Sequence, residues 1–238
     1  EEVVVLNFSP NQVAATSWAA QHIKSGRYFL SLYPAIQPDY LIDPTSGIEA
    51  ARADLFQDSL VAVTCPPNTS SDAIKLASDF VVLLGARPYY ADPVEVDGLL
   101  AASCFLPQLS AAALINAVVG QPGWRENQKL ANRAFAEASA PVRFIDSDDN
   151  PALPFHLDRE NMLRMLDDYL ASLHDLRSQL AGDDSEALSE TLLQADSARK
   201  EWLVARKIGE WNSAPTTEMP SSGEFMKGMF LGFRRKKK

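Results

Sequence analysis

Between Gly98 and Val119 the chain holds no lysine, arginine, aspartate or glutamate, and reads almost entirely as Ala, Leu, Phe, Ile and Val. A helix that is apolar on nearly every face must be wrapped by protein, within a core or by a partner subunit. Asp92-Pro93-Val94-Glu95 reads as its start, with an Asp N-cap, proline at the first helical position and Glu at the third. Pro107 should kink it by removing one ladder bond near Ser103. No apolar run is expected to reach the roughly 18 residues of a membrane span.

Ahead of that helix, strand and helix signals alternate, the pattern of an α/β layer. Val3–Phe8 is a short β-branched run suited to a strand buried on both faces. Gln12–Ile23 reads as a helix, and Arg27–Leu32 as a strand stopped by Tyr33-Pro34. Gly47–Phe56 reads as a short amphipathic helix with Ile48, Ala51 and Leu55 on one side. Ser59–Thr64 is a third strand. Thr69 and Asp72 form a capping box that opens a helix to Leu84, ended by Gly85 in the left-handed region. Arg87–Ala91 is the fourth strand.

Beyond the apolar helix the β signal is gone. Arg125–Ala138 reads as a helix and Asp146–Pro154 as a polar connection. Met162, Leu166, Tyr169, Leu173, Leu176 and Leu180 then recur in steps of four and three, a heptad seam for helix packing. A last helix follows Gly182-Asp183-Asp184, with Leu188, Leu192, Ala195, Trp202, Ala205 and Ile208 on its apolar side, and ends near Trp211-Asn212. The expected fold class is α/β plus all-α: a partial Rossmann-like parallel sheet over 1–92, a helical dimerisation domain over 93–212, and a flexible basic tail over 213–238.

Composition narrows the function. With 46% hydrophobic and 22% charged residues, the 238-residue chain has the make-up of a globular protein, not a disordered or disulfide-stapled one. A net charge of −9 has the wrong sign for a general nucleic-acid binder. Cys65 and Cys104 form no C-x-x-C pair, which suits a reducing, cytoplasmic setting. His22, His156 and His174 are too scattered to suggest a metal site. The chain starts on a strand, without an initiator Met or a signal peptide, and so reads as one entered midway through a longer protein. The tail, Met226, Met229, Phe230, Leu231 and Phe233 beside Arg234–Lys238, has the composition of a membrane-touching segment or of a solvated terminus. The second is expected.

Several stretches, in order and spacing, resemble the C-terminal portion of the prephenate (arogenate) dehydrogenase family: Gly47–Phe56, Leu84–Pro88 with Asp92-Pro93 and Asp97, Ser103–Leu114 with Leu106-Pro107, and Gly123–Ala131. The likeness covers about Val3 to Asn212. It implies NAD(P)-dependent oxidative decarboxylation of a cyclohexadienyl acid, prephenate or arogenate, and a homodimer built through the helical domain. The family's G-x-G-x-x-G turn, whose glycines cradle a pyrophosphate against a helix N-terminus, is not present in this sequence. NAD or NADP is therefore implied by resemblance, with the cofactor-binding half of the Rossmann domain outside this chain.

The resemblance also implies site residues. Tyr33 stands where the family has the histidine that polarises or deprotonates the ring hydroxyl. Tyr33 can hydrogen-bond a hydroxyl, but with a pKa near 10 is a poor base at neutral pH. Phe105 and Gln108 replace a second histidine pair, and Cys104 either faces the same cleft or is a small buried residue. Lys129 stands for a carboxylate-gripping arginine, keeping charge but losing the bidentate fork. Arg125 is the better carboxylate clamp, and either cation otherwise belongs to a solvated helix face. Asp97 is a cleft acid or a helix-start acid. Ser9, Pro10 and Gln12 line the nicotinamide end or are plain turn chemistry. Two other readings stay open: a non-catalytic dimerisation or ligand-sensing protein on the same scaffold, and a reductase for another hydroxy acid using Tyr33, Lys129 and Arg125.

Overall fold

The computed structural model describes residues 3–209 apart from 44, 46, 145–149 and 183–184. The chain divides into two compact units, residues 1–96 with 179–238, and residues 97–178.

The first unit is built on a four-stranded sheet in the order β1 (Val3–Asn7), β2 (Arg27–Pro34), β3 (Leu60–Thr64), β4 (Arg87–Tyr90). β1 and β2 are parallel, as are β3 and β4, while β2 and β3 are antiparallel. Two βαβ crossovers therefore sit side by side in opposite sense. Since such crossovers are right-handed, their helices should fall on opposite faces. That is what is seen. α2 (Ser71–Leu83) buries Ala73, Ala77 and Val81 against Leu30, Leu32, Val61 and Val63 on one face. α1 (Gln12–His22) starts over the other face, where the Gln12 amide meets Thr64. The sheet is mostly parallel, in keeping with the expected Rossmann-like part.

Three local readings are corrected. β1 is an edge strand of this sheet, and Val3 and Val5 are exposed instead of buried on both faces. The helix expected over Gly47–Phe56 is one short turn, Gly47–Ala50, with Ile48 95% exposed. Here Arg52 takes the Glu49 and Ala51 carbonyls, and Tyr40 holds both Asp54 oxygens, so side chains compete with a continued helical ladder. The cap of α2 is Ser70, whose hydroxyl accepts from the Ala73 N–H, while the Thr69 hydroxyl donates back to the Pro66 carbonyl. Gly85 does adopt φ +76° after α2.

α9 (Ser185–Ile208) belongs with the sheet unit, not with the helices of 97–178. Its last turn is tied to the loop after β2 by Arg206, and Gly209 behind it accepts from Arg87.

The second unit is helical. α3 (Pro93–Leu100), a wide turn over Ala101–Phe105 and α4 (Leu106–Val119) form one continuous helix. Asp92 caps it through the Val94 N–H at 2.8 Å. Pro107 cannot donate to the Ser103 carbonyl. The ladder widens just before it, the Leu106 N–H reaching back five residues to Ala101. Pro93–Val119 is thus 27 residues long and, by length and composition, apolar enough to cross a membrane, correcting the expectation that no segment reaches that length. One stripe of it is covered. Ala101, Phe105 and Ala111 are buried with the polar Asp97 and Gln108, and Phe105 packs on Met162 and Phe155. Leu99 and Val119 stay exposed, so the described residues do not wrap this helix all round.

The single helix expected over Arg125–Ala138 is two, α5 (Trp124–Leu130) and α6 (Arg133–Ser139). Asn132 breaks the run because its side chain accepts from the Ala134 N–H and starts a new helix there. A short helix, α7 (Leu153–Leu157), and the long α8 (Arg159–Ala181) follow. On α8 the heptad seam buries Met162, but Leu173 and Leu180 are exposed. Residues 146–149 of the Asp146–Pro154 connection, the Trp211-Asn212 end and the basic tail lie outside the described residues, and the connection's last two residues, Leu153 and Pro154, already belong to α7.

Candidate active site

In the sheet unit the chemistry gathers where β1 and β3 both end. Asn7, Ser31 and Thr64 are register partners across β1, β2 and β3, so their side chains share one face. The Asn7 amide donates to the Ser31 hydroxyl at 3.0 Å and lies 3.3 Å from the Ser9 hydroxyl. Gln12, fully buried, accepts from the Thr64 hydroxyl at 3.1 Å and donates to the Ser9 carbonyl at 2.6 Å. Tyr33 is two residues beyond Ser31 and paired with Ala62, which puts it on the same face. Ser9, Gln12 and Tyr33 therefore belong to one region, and Pro10 fills the turn between the first two. Open α/β sheets take ligands in the crevice beyond the carboxyl end of a strand, and the β1–α1 turn borders such a crevice.

Asn7, Ser31 and Thr64 do not stand out as site residues in the sequence. Their signal is a polar residue inside or ending an apolar strand, as in Phe29-Leu30-Ser31-Leu32 and Val61-Ala62-Val63-Thr64. Burying Ser31 and Thr64 to 1% or less is tolerated only because hydrogen bonds satisfy them.

The helical unit carries the other candidates. Asp97 and Gln108 lie on the buried stripe of the α3–α4 helix, both at most 6% exposed. Cys104 and Gln108 are brought together across Pro107, the amide nitrogen 3.7 Å from the sulfur. Arg125 and Lys129 are exposed on α5, one turn apart, and Lys129 is engaged by Glu126 at 2.6 Å. Trp124 packs on Phe135 of α6 at 5.9 Å between centroids.

Two further groups have altered acidity. Asp158, just ahead of α8, is buried, and burial pushes its carboxyl above the usual carboxylate range against the opposing pull of the Asn161 amide and Arg164. One oxygen accepts from Asn161 at 2.7 Å and the other has no hydrogen-bond partner. Burial likewise pushes the Cys65 thiol up, making it a poor nucleophile. Among the described residues, no cluster of three His, Cys, Asp or Glu side chains offers a metal site.

No family model matches the chain. A cyclohexadienyl dehydrogenase of Zymomonas mobilis subsp. mobilis is 27% identical over 173 residues, 68% of this chain and 58% of that protein. This chain thus spans less than two thirds of that relative's length. Synechocystis arogenate dehydrogenase shares the fold with a TM-score of 0.67 at 20% identity, over 84% of this chain and 69% of that one. Prephenate dehydrogenase from A. aeolicus, solved with hydroxyphenyl propionate and NAD+, gives 0.64 at 18% identity, over 83% and 76%. In sequence this chain is similar to a cyclohexadienyl dehydrogenase, and in fold it is similar to an arogenate and a prephenate dehydrogenase.

On this prephenate dehydrogenase-like scaffold the two candidate groups differ in character. The sheet group is neutral, made of amides and hydroxyls that bond one another. The helical group holds the cations, Arg125 and Lys129, and the buried acid Asp97.

Proposed function

We propose that this chain carries the substrate side of an NAD(P)-dependent prephenate or arogenate dehydrogenase, an oxidoreductase of tyrosine biosynthesis. The observation that carries this reading is the agreement of sequence and fold, a cyclohexadienyl dehydrogenase by sequence and an arogenate dehydrogenase by structure. The reaction removes hydride from a ring carbinol, releases carbon dioxide and aromatises the ring. The protein must hold the ring acid, orient its hydroxyl and handle one proton. Tyr33 is assigned to the hydroxyl. Arg125 and Lys129 are assigned to carboxylates, with Lys129 exchanging Glu126 for the substrate. Cys104, Gln108 and Asp97 are assigned to the polar lining on the helical side.

The cofactor fit is partial. Ser9, Pro10 and Gln12 suit the nicotinamide end, where an amide needs hydrogen-bond partners. The β1–α1 turn holds no glycine, and none of the positive-φ glycines, Gly26, Gly47, Gly85 and Gly209, lies in a turn from a strand into an α-helix. The described residues do not supply a pyrophosphate cradle, and their own part in the chemistry ends at holding the ring acid and its proton. When bound, NAD or NADP supplies the hydride acceptor.

Homodimerisation is part of the proposal. It is supported by apolar residues left open on the helices: Leu99 on α3, Leu173 on α8, and Leu192 and Trp202 on α9. A cytoplasmic setting is likewise proposed, from cysteine usage. One observation favours a second reading, a non-catalytic ligand-sensing protein: Tyr33, Phe105 and Gln108 stand at the positions the resemblance assigns to histidines.

The test is prephenate- or arogenate-dependent reduction of NAD+ or NADP+, assayed on the natural gene product, with Lys129→Ala alongside. Turnover that falls at least about tenfold in the variant supports the reading, as expected for loss of a charge-assisted bond. Unchanged turnover removes Lys129 from the site, and ring-acid binding without turnover favours the sensor.

A further inference from the structure

The segment that follows Tyr33 is held at every turn. The Ala35 N–H donates to the Leu60 carbonyl at 2.8 Å, and the Ala35 carbonyl accepts from the Ser59 hydroxyl at 2.8 Å. The Gln37 N–H donates to the Leu55 carbonyl at 2.7 Å. Those ties come from neighbouring chain. The fourth does not: the Ile36 carbonyl accepts from the Arg206 guanidinium at 2.6 Å, across 170 residues.

Arg206 sits in the last turn of α9, where a cation also complements the helix dipole. The helix end is itself fixed. The Gly209 N–H closes onto the Ala205 carbonyl at 3.0 Å, and the Gly209 carbonyl accepts from Arg87 on β4 at 3.2 Å. Burial also pulls the Arg206 pKa down, the mark of a guanidinium partly removed from water. A charge-assisted bond in such a place is stronger than a neutral one and more costly to lose.

We propose that Arg206 is a positioning residue, a strap by which α9 fixes the turn after β2 and thereby the setting of Tyr33. The inference rests on the reading of Tyr33 as a site residue. It makes the end of α9 part of the site's support, although α9 carries no candidate site residue. Arg206 touches neither substrate nor cofactor in this proposal. It acts through the Ile36 carbonyl, three residues from Tyr33.

Two readouts test it, amide hydrogen exchange and titration with hydroxyphenyl propionate, compared between wild type, Arg206→Gln and Arg206→Lys. In Arg206→Gln, exchange over residues 36–41 should rise about tenfold while α2 stays unchanged, and affinity for the ring acid should fall by a similar factor. Arg206→Lys, which keeps the charge, should return affinity to within about threefold of wild type. If the Gln variant fails to fold, the Lys variant must still show the exchange change in smaller measure. Unchanged exchange over 36–41 overturns the strap, as does raised exchange with unaltered affinity. A wild-type chain that does not bind the ring acid defeats the functional reading instead, and exchange alone then decides the strap.

Discussion

At the scale of single residues, the polar row of the sheet is a chain of dependent hydrogen bonds. Gln12 satisfies Thr64 and ties the β1–α1 turn through the Ser9 carbonyl. Gln12→Ala should lower unfolding free energy by about 2 kcal/mol, the scale of leaving a buried hydroxyl without its partner. Chemical denaturation measures this, and a loss under about 0.5 kcal/mol would show that the row is not cooperative. Asp158 gives a prediction with a sign. Its folded-state pKa lies above the unfolded one, so the native state keeps its proton to higher pH. The stability it supplies is full below the ordinary carboxylate range and is lost as pH rises through the raised value. Asp158→Asn should therefore stabilise the protein at pH 7, by about 1 kcal/mol on the scale of an unsatisfied buried oxygen, and the gain should vanish on acidification. A gain independent of pH would rule out titration of Asp158 as its source. The sequence showed where such residues lay but not what they did. Ser31 and Thr64 read as strand members, because a lone hydroxyl in an apolar run gives no hint of which neighbour, 24 or 52 residues away, will bond it.

At the scale of elements, legibility followed how local the determining chemistry was. Asp92-Pro93 was readable because the cap and the proline act within one turn, and Gly85 because only a residue without a Cβ takes φ +76° cheaply. The expected helix over Gly47–Phe56 failed for the opposite reason: Tyr40 engages Asp54 from fourteen residues away. The break between α5 and α6 lay in plain view as Asn132, a strong N-cap inside an otherwise helical run. Asn132→Ala should cost about 1 kcal/mol. A thermal melt read by circular dichroism checks this, and an unchanged or raised midpoint would assign the break to packing instead of the cap. Pro107 was expected to kink its helix. The observed wide turn over Ala101–Phe105 keeps the helix continuous by shifting the ladder one residue, a route that sequence pattern alone does not distinguish from a kink.

At the scale of the whole molecule, the fold class, a small and mostly parallel sheet with many helices, was legible from the loss of β signal after Arg87–Ala91. The placement of α9 with the sheet was not, since the tie from Arg206 to Ile36 joins residues far apart in sequence. The apolar α3–α4 helix set the first constraint on this chain, and its partly uncovered surface still asks for a covering partner. If two copies supply it, sedimentation at micromolar concentration should give a dimer, and Leu173→Glu on the open α8 seam should shift it toward monomer. A monomeric wild type would leave that surface to some other cover. These residues, as proposed, hold the substrate side of a prephenate dehydrogenase-like enzyme, and the described ones form no dinucleotide cradle. Calorimetric titration of this chain with NAD+ and NADP+ bears on that directly. We expect no saturable heat with either nucleotide, and saturable one-to-one binding of either would show that a cradle is present after all.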